Sequence, residues 1–287
     1  MLDDQWFTEI DGSQGSAFSL RVKSKIHDEQ TPYQRIEIYE TTHFGHLMVI
    51  DGCVMLSSRE NFFYHEMLAH PVMFSHVNPR NVVIIGGGDC GTLQEVLRHD
   101  SVQKVWQVEI DERVTRLSER FFPELCAANA DERASLLFAD GIRWIAEAAA
   151  DSVDVIIVDS TDPVGPAEGL FGEPFYRDCF RALRNGGIFV QQSESPLYHM
   201  PIIDDMRTSL KKSGFSEVLT LNFPQCVYPS GWWSATMAGK GTSPTNNIRE
   251  QDVVDRPFAT RYYNLGIHQA AMATPEFMLR TTDRTAQ

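Results

Sequence analysis

Short apolar runs that alternate with helix-length segments limit the possible folds of this chain more than any other feature. The runs are NVVIIGG, QKVWQVEI, ASLLFAD, DVIIVDS and GIFVQQS, which begin at Asn81, Gln103, Ala134, Asp154 and Gly187. Most are apolar nearly throughout, as strands buried on both faces are. The segments between them are long enough for crossover helices, so the pattern predicts a doubly wound α/β fold with a mostly parallel sheet. EVLTLNF and WWSATMAG, from Glu217 and Trp232, predict two more strands that close the sheet in antiparallel orientation.

The first 57 residues have a different pattern, which predicts a small antiparallel sheet. TPYQRIEIYET alternates polar and apolar residues from Tyr33, as a half-buried strand does. HLMVI and CVMLS flank Asp51-Gly52, a pair that favours a type I′ hairpin turn. We therefore predict an N-terminal antiparallel β domain over residues 1–57 and a catalytic domain over residues 58–287.

Two further segments can be assigned from local signals. A helix is predicted from about Ser58 to His70, where Pro71 limits its continuation. Residues 240–256 are polar and predict a surface loop. His65 and His70 lie five residues apart, about 140° around a helix, so they are not expected to share a metal ion.

The charge and the cysteines narrow the class of protein. The formal net charge of −14 disfavours nucleic-acid binding and favours cationic ligands, although such a charge also serves simple solubility. The five cysteines form no CxxC pair, so we expect a reducing cytoplasm and no structural zinc. No apolar run approaches the roughly 20 residues of a membrane span, and the acidic N-terminus does not resemble a signal peptide.

A glycine turn follows the first of the alternating strands. Gly86, Gly88 and Gly91 fit GxGxxG between a strand and a helix, which lets the backbone approach a ligand closely. NAD, FAD and S-adenosylmethionine sites all use this turn. Together with the strand pattern, this turn predicts a Rossmann-like, methyltransferase-type sheet of seven strands. The turn alone does not indicate which of these ligands binds.

Acidic residues end the next two strands. Glu109 is placed to accept hydrogen bonds from ribose hydroxyls, and Asp111 to cap the following helix. Asp140, before Gly141, can accept a hydrogen bond from an adenine amino group. Ligands bind at the carboxyl ends of such strands, so the set predicts an adenosine site. The alternative is that these acids only cap helices.

Asp89, inside the glycine turn, narrows the choice of ligand. A carboxylate there would repel a pyrophosphate, or the carboxylate of an intact methionine moiety. Decarboxylated S-adenosylmethionine presents an ammonium group instead, and a charge-assisted hydrogen bond to it is favourable by roughly 1–3 kcal/mol. Asp89 could alternatively point away from the site and cap the next helix.

An acidic loop follows the fourth strand. Asp159 and Asp162 lie three residues apart on a loop stiffened by Pro163 and Pro166. A primary amine has a pKa near 10.4 and arrives protonated, so a carboxylate must bind it and accept a proton as it attacks. In isolation DSTDP would be a turn with an Asx cap. Its position behind an adenosine-type cleft favours chemistry instead.

These features together resemble the spermidine synthase family. The matching motifs run through almost the whole chain in the family's order: YHEM (64–67), GGGD (86–89), VEID (108–111), Asp140-Gly141, DSTDPVGPAEGLF (159–171), YPSGWW (228–233) and RYYN..IH.A (261–270). The long acidic motif and YHEM are specific, whereas GGGD alone is not. Cys90 departs from the family's GGGDGG, and the paired tryptophans Trp232 and Trp233 leave the preferred amine open.

The resemblance implies a transfer of the aminopropyl group from decarboxylated S-adenosylmethionine to putrescine, and it implies roles for individual residues. The proton acceptor is Asp159. The implied polyamine site comprises Tyr64, His65, Asp89, Asp159, Ser160, Thr161, Asp162 and Tyr228. The implied nucleoside site comprises Gln34, Gly86, Gly88, Asp89, Glu109, Asp140, Gly141 and Pro166.

The resemblance also bears on cofactors and partners. The decarboxylated donor is a co-substrate, and neither a metal nor another cofactor is implied. The implied assembly is a homodimer or homotetramer, with no nucleic-acid or membrane partner. Two alternatives remain: an S-adenosylmethionine-dependent small-molecule methyltransferase that uses the same cleft, and a catalytically silent binding protein of this fold.

Overall fold

The computed structural model describes residues 3–283, and the first part of this chain forms an antiparallel sheet. Its five strands pair in sequence order. They are β1 (Trp6–Asp11), β2 (Ser16–Gln30), β3 (Arg35–Thr41), β4 (His46–Ile50) and β5 (Cys53–Ser57). Asp51 and Gly52 have φ values of 51° and 89° between β4 and β5. Both turn residues have the positive φ that a type I′ turn needs, which confirms the predicted hairpin.

A seven-stranded sheet forms the centre of the rest of the chain. Its strands are β6 (Asn81–Gly86), β7 (Lys104–Glu109), β8 (Ala134–Phe138), β9 (Val153–Asp159), β10 (Leu183–Gln192), β11 (Glu217–Pro224) and β12 (Trp232–Gly239). Their order is β11-β12-β10-β9-β6-β7-β8. β12 is antiparallel to both of its neighbours, and the pairs from β10 to β8 are parallel. The predicted doubly wound sheet is confirmed, with the correction that only β12, and not β11, is reversed.

The strand order reverses between β9 and β6, which places a crevice at their carboxyl ends. Gly86, the last residue of β6, is the register partner of Asp159, the last residue of β9. The glycine turn and the acidic loop therefore leave the sheet side by side. This adjacency depends on strand order, which the sequence pattern alone does not specify.

The helices connect the strands on both faces of the sheet. They are α1 (Phe62–Ser75), α2 (Gly91–Leu97), α3 (Glu112–Phe121), α4 (Gly141–Glu147), α5 (Glu173–Ala182), α6 (Met200–Lys212), α7 (Glu250–Asp255), α8 (Leu265–Ala271) and α9 (Glu276–Asp283), with a 3₁₀ helix over Gly165–Phe171. The prediction of a surface loop over residues 240–256 is wrong for Glu250–Asp255, which form α7.

The predicted extent of α1 is also wrong. The helix begins at Phe62 rather than near Ser58, and it continues through Pro71 to Ser75. A proline inside a helix costs about 3 kcal/mol or more. Every residue from Tyr64 to Ser75 is buried, so packing on all sides outweighs that cost. Helix propensity read from the sequence could not reveal how thoroughly α1 is covered.

Buried Glu66 on α1 fixes the C-terminal segment. Its two carboxylate oxygens accept hydrogen bonds from the backbone N–H groups of Arg261, Tyr262 and Tyr263, at 2.7–2.8 Å. Charge-assisted hydrogen bonds of this kind satisfy a buried carboxylate. The YHEM and RYYN motifs are therefore in direct contact.

The N-terminal sheet packs onto the second one through α3. Ile36, Ile38 and Met48 from its strands share one buried cluster with Val114 and Leu117 of α3. This contact places β3–β5 over the crevice. Whether the chain divides into two domains after residue 57 stays a prediction.

Candidate active site

A deep cleft lies at the carboxyl ends of β6, β7 and β9, beneath the N-terminal sheet. It encloses about 1080 Å³, part of it open to solvent. Most of the residues predicted for the site line it: Gln34, Tyr64, His65, Gly86, Gly88, Asp89, Glu109, Asp140, Gly141, Asp159, Ser160, Thr161, Pro166 and Tyr228. The exception is Asp162, which lines an adjoining cavity.

Close packing explains the glycines of the turn after β6. A Cβ on Gly86, whose φ is +83°, would lie 2.2 Å from the backbone oxygen of Asp159. A Cβ on Gly91 would lie 2.2 Å from the ring of His65. The turn is thus held between β9 and α1. Cys90 adopts a left-handed φ of 69°, which costs a non-glycine residue roughly 1–2 kcal/mol.

Asp89 binds the first backbone N–H of α2 and also lines the cleft, so the two alternatives for this residue do not exclude each other. Its Oδ1 accepts a hydrogen bond from the Gly91 N–H at 2.7 Å, and its Oδ2 lies 3.1 Å from His65 Nε2. Burial opposes the charge on each partner. The opposite charges nevertheless hold the pKa of Asp89 below its usual range and raise the pKa of His65 to about 9. The turn therefore carries an ionised carboxylate with a protonated imidazole beside it.

Glu109 ends β7 inside the cleft. Its Oε1 accepts the Asp111 N–H at 2.8 Å, and burial raises the pKa of Glu109 to about 7. Asp111 caps α3 by accepting from the Arg113 N–H, as predicted, and its Oδ2 accepts from Gln34 Nε2 at 3.1 Å. The carboxyl group of Glu109 lines the cleft, and Asp111 holds Gln34 at the edge of the cleft.

Asp140 follows β8, and its Oδ1 accepts from the N–H groups of Ile142 and Arg143 at 2.8 and 3.3 Å. It therefore caps α4 while still lining the cleft. A Cβ on Gly141 would lie 2.4 Å from the side chain of Ile85, so this turn is pressed against β6. Pro166, the second residue of the 3₁₀ helix, also lines the cleft.

Two hydroxyl groups hold the carboxylate of Asp159. Tyr64 donates to Oδ1 at 2.8 Å, and Thr92 donates to Oδ2 at 2.6 Å. Burial, followed by the charge of Asp89, raises the pKa of Asp159 to about 6, against the lowering influence of His65 and the two hydroxyls. Asp159 is therefore a part-buried carboxylate that is ionised near neutral pH and able to accept a proton.

Two tyrosines separate the cleft from the second cavity. The rings of Tyr64 and Tyr228 lie 6.3 Å apart in an edge-on arrangement, and Tyr228 donates its hydroxyl to the Met55 carbonyl at 2.8 Å. Both rings line both cavities, as do Ser160 and Thr161. An extended amine could therefore pass from Asp159 along the aromatic wall.

The second cavity is acidic. It has a volume of about 370 Å³, part of it open to solvent, and is lined by Glu9 and Asp162. Burial, followed by the charge of Glu194, raises the pKa of Asp162 to about 8, and burial raises the pKa of Glu9 to about 6. Glu194 is buried, has a left-handed φ of 67°, and lies 3.0 Å from His199 Nδ1. Closely spaced carboxylates favour a cationic occupant.

Sequence reasoning missed Glu9, Thr92, Gln192 and Glu194. Glu9 and Gln192 reach the second cavity from distant strands, and neither belongs to a recognisable motif. Thr92 carried a signal, because it follows the glycine turn and so had to lie near the cleft. Glu194 has a non-glycine left-handed backbone, which no sequence pattern reveals.

The histidines do not form a metal centre in the part of the chain from residue 3 to residue 283. No group of three or more His, Cys, Asp or Glu there is placed to hold an ion. His65 pairs with Asp89, whereas His70 Nε2 lies 3.0 Å from Glu95. Over the same range, no helix has the length and apolar character that crossing a bilayer demands.

Comparison with known proteins identifies the family of this chain. Residues 61–250 match the model of the spermine/spermidine synthase domain, and residues 5–58 match that of the spermidine synthase tetramerisation domain. The chain belongs to the spermidine synthase family. The family resemblance read from the motifs is thus confirmed.

Relatives of this spermidine synthase family member match along nearly their whole length. The polyamine aminopropyltransferase of Thioalkalivibrio sulfidiphilus is 63% identical, covering 96% of this chain and 97% of the relative. That of Methylococcus capsulatus is 62% identical over the same shares. A crystal structure of spermidine synthase with the transition-state analogue AdoDATO has 35% identity and a TM-score of 0.93, covering 97% of this chain and 95% of that one. Spermidine synthase from Thermotoga maritima has 34% identity and a TM-score of 0.92, covering 97% and 94%.

Proposed function

We propose that this chain transfers the aminopropyl group of decarboxylated S-adenosylmethionine to putrescine, giving spermidine and methylthioadenosine. The observation that carries the proposal is the convergence of two part-buried carboxylates, Asp89 and Asp159, in one cleft behind a glycine turn. Both substrates are cations, and each carboxylate can receive one of them. The family membership of the chain supports the same reaction.

The donor lies along the glycine turn in this proposal. Glu109 accepts hydrogen bonds from the ribose hydroxyls, while Gln34, Asp140, Gly141 and Pro166 surround the nucleoside. Gly86 and Gly88 allow the backbone to approach it. Asp89 binds the ammonium of the aminopropyl chain, which replaces or shares the contact that His65 makes in the ligand-free site.

The acceptor lies between the tyrosines. Its reacting nitrogen approaches Asp159, its methylene chain packs between Tyr64 and Tyr228, and its far ammonium reaches Asp162 in the second cavity. Ser160 and Thr161 line the passage between the two cavities. The carboxylates at both ends recognise a diamine rather than a monoamine.

The chemistry balances without a metal or another cofactor. Asp159 accepts one proton from the primary ammonium, and the freed nitrogen lone pair attacks the propyl carbon bonded to the sulfonium. The C–N bond forms as the C–S bond breaks, and the electron pair of the C–S bond stays on the sulfur and neutralises its positive charge. Methylthioadenosine leaves as a neutral thioether, so no acid is needed for the leaving group. Alignment of nitrogen, carbon and sulfur supplies much of the remaining rate enhancement.

A methyltransferase would use the same fold but a different donor. Intact S-adenosylmethionine carries a carboxylate that would lie near Asp89, and the two negative charges would repel each other. This observation favours the decarboxylated donor over the intact one.

The test is product formation. Purified protein is incubated with putrescine and either decarboxylated or intact S-adenosylmethionine, and the products are identified by mass spectrometry. The proposal predicts spermidine and methylthioadenosine in equal amounts with the decarboxylated donor only. N-methylated amine and S-adenosylhomocysteine from the intact donor would instead identify a methyltransferase, and no product from either donor would identify a binding protein.

We also propose a cytoplasmic homodimer or homotetramer. The match of residues 5–58 to a tetramerisation domain supports an assembly through the N-terminal sheet. Five unpaired cysteines fit a reducing compartment. Light scattering at several protein concentrations tests the oligomeric state.

A further inference from the structure

A buried threonine lies behind the proposed base. Thr92 is the second residue of α2, directly after the glycine turn, and its side chain is fully buried. It does not line the cleft, so it has no path to the substrate. Its hydroxyl instead donates to Asp159 Oδ2 at 2.6 Å, a short distance for a hydrogen bond to a carboxylate.

We propose that Thr92 is a positioning residue, which fixes the carboxylate of Asp159 in its reactive orientation through the hydrogen bond from Oγ1. This inference rests on the proposed role of Asp159 as proton acceptor. Thr92 is not a catalytic residue, since it acts only through Asp159.

The geometry is that of a two-point clamp. Tyr64, on α1, holds Oδ1, while Thr92, on α2, holds Oδ2. Hydrogen bonds to both oxygens from two different helices fix the plane of the carboxylate. Each oxygen can accept more than one hydrogen bond, so the clamp leaves acceptor capacity for the incoming ammonium.

Thr92 also favours the ionised form of the base. The single proton of its hydroxyl forms the hydrogen bond to Asp159. This hydrogen bond is stronger when Asp159 is a carboxylate than when it is a carboxylic acid. Burial and the charge of Asp89 raise the pKa of Asp159, and the hydrogen bond from Thr92 opposes them. Without the hydroxyl the pKa would rise further, and the base would be protonated at a higher pH.

The position of Thr92 in the chain connects the proposed donor site, at Asp89, with the proposed base, Asp159. Thr92 lies three residues after Asp89, in the first turn of α2 just behind the glycine turn proposed to bind the donor, yet it holds the base that serves the acceptor. The glycine turn and the start of α2 therefore contribute both the contact to the donor ammonium and the support of the proton acceptor from one continuous segment. Precise alignment of the reacting groups depends on such support.

The test is the pH dependence of kcat, at saturating concentrations of both substrates, for Thr92→Val and Thr92→Ser. Valine has nearly the same shape as threonine but lacks the hydroxyl. We expect its acid limb to move up by about one pH unit, as the loss of a hydrogen bond to a charged group would cause. Serine keeps the hydroxyl, so we expect its acid limb to match that of the wild type.

Thr115→Val is the matched control. Thr115 is also fully buried, and its hydroxyl has no hydrogen-bond partner within the described range of residues 3–283. We expect its acid limb to remain at the wild-type position. Binding of methylthioadenosine verifies that each variant is folded, and Thr92→Ala replaces Thr92→Val if the valine variant does not fold.

A second measurement does not need turnover. The Asp159 carboxyl carbon is followed by ¹³C NMR in the ligand-free protein, with the signal assigned by its loss in Asp159→Asn. A higher pKa for Asp159 in Thr92→Val supports the inference even if no aminopropyl transfer is observed, in which case only the proposed function fails. An unchanged pKa together with an equal loss of kcat at all pH values would assign Thr92 a purely structural role and overturn the inference.

Discussion

The proposed active site has a donor half around Asp89 in the cleft and an acceptor half around Asp162 in the adjoining cavity, and the two halves hold their negative charge in different ways. In the donor half, Asp89 is already paired with the imidazole of His65 and with a backbone N–H, and its pKa is lowered. In the acceptor half, Asp162 lies near Glu194 and Glu9, and its pKa is raised to about 8. The same residue type is thus ionised in one half and largely protonated at neutral pH in the other.

This difference teaches how one cleft can receive two polycations. A donor ammonium meets a charge that is already present and needs only to compete with His65. An acceptor ammonium instead meets an Asp162 that is protonated. Because the ammonium stabilises the ionised form, the carboxyl group of Asp162 releases a proton when the amine binds. We therefore expect Asp162 to make acceptor binding depend on pH between 7 and 8. Asp89 stays ionised over this range and adds no such dependence to donor binding, in which the titrating group is Glu109, with a pKa of about 7.

The largest effect is expected from Asp159→Asn. The amide keeps the shape of the side chain but cannot accept the proton, so kcat should fall by about 10³-fold, within the range of general-base catalysis. Affinity for methylthioadenosine should stay within about threefold of wild type, since the nucleoside contacts are untouched. Steady-state kinetics and calorimetric titration measure the two quantities. Turnover within a few-fold of wild type would remove Asp159 from its proposed role.

Asp89→Asn sharpens the comparison from the donor side. Its amide oxygen can still cap α2, so the variant removes the charge and spares the turn. Affinity for the decarboxylated donor should fall by about 30-fold, as loss of a charge-assisted contact implies. Affinity for methylthioadenosine, which lacks the ammonium, should change little. Equal weakening of the two ligands in calorimetric titrations would make Asp89 a structural residue.

The acceptor half can be tested through pH. The pKa of Asp162 near 8 means that this carboxyl is protonated in the ligand-free site below that pH. Putrescine binding should therefore weaken by about fivefold from pH 8 to pH 7 and release protons, because the bound ammonium requires the ionised form. Calorimetry in buffers of different ionisation enthalpy measures the proton release.

Asp162→Asn is the control for this pH effect. It removes the titrating group, so putrescine affinity should become nearly independent of pH in the same range and lie close to the wild-type value at low pH. A wild-type affinity that is constant between pH 7 and pH 8 would contradict the difference between the two halves.

The smallest effect is expected from Cys90→Gly. Glycine relieves the left-handed strain, worth about 1 kcal/mol, but it also removes a buried thiol of similar value. The free energy of unfolding in urea should change by less than about 1 kcal/mol, and donor affinity by less than about twofold. A tenfold change in donor affinity would instead show that Cys90 adjusts the fit of the donor.

The comparison also shows what the sequence could predict. The signals for the donor half are local: a strand, a glycine turn and acids at strand ends. They were enough to predict that Asp89, Glu109 and Asp140 lie together, and all three line the cleft. The acceptor half is assembled from distant strands. Glu9 comes from β1 and Gln192 from β10, and only the three-dimensional structure brings them to Asp162.

The fold was predictable to a similar degree. Apolar runs identified each strand of the seven-stranded sheet, because strands covered on both faces need continuous apolar residues. The direction of β11 and the path of α1 through Pro71 were not predictable, because both depend on packing against elements far away in the chain. Local propensity is overridden where a helix is covered on all sides.

The central claim is that the cleft selects decarboxylated S-adenosylmethionine as an aminopropyl donor. The preference between this donor and the intact one, which differ by one carboxylate, tests that claim most directly. Isothermal titration compares decarboxylated with intact S-adenosylmethionine on the wild-type protein at pH 7.5. Aminopropyl transfer predicts that the decarboxylated donor binds at least about tenfold more tightly, because Asp89 attracts its ammonium and repels the carboxylate of the intact donor. Equal affinity, or tighter binding of the intact donor, would contradict the account and indicate a methyltransferase.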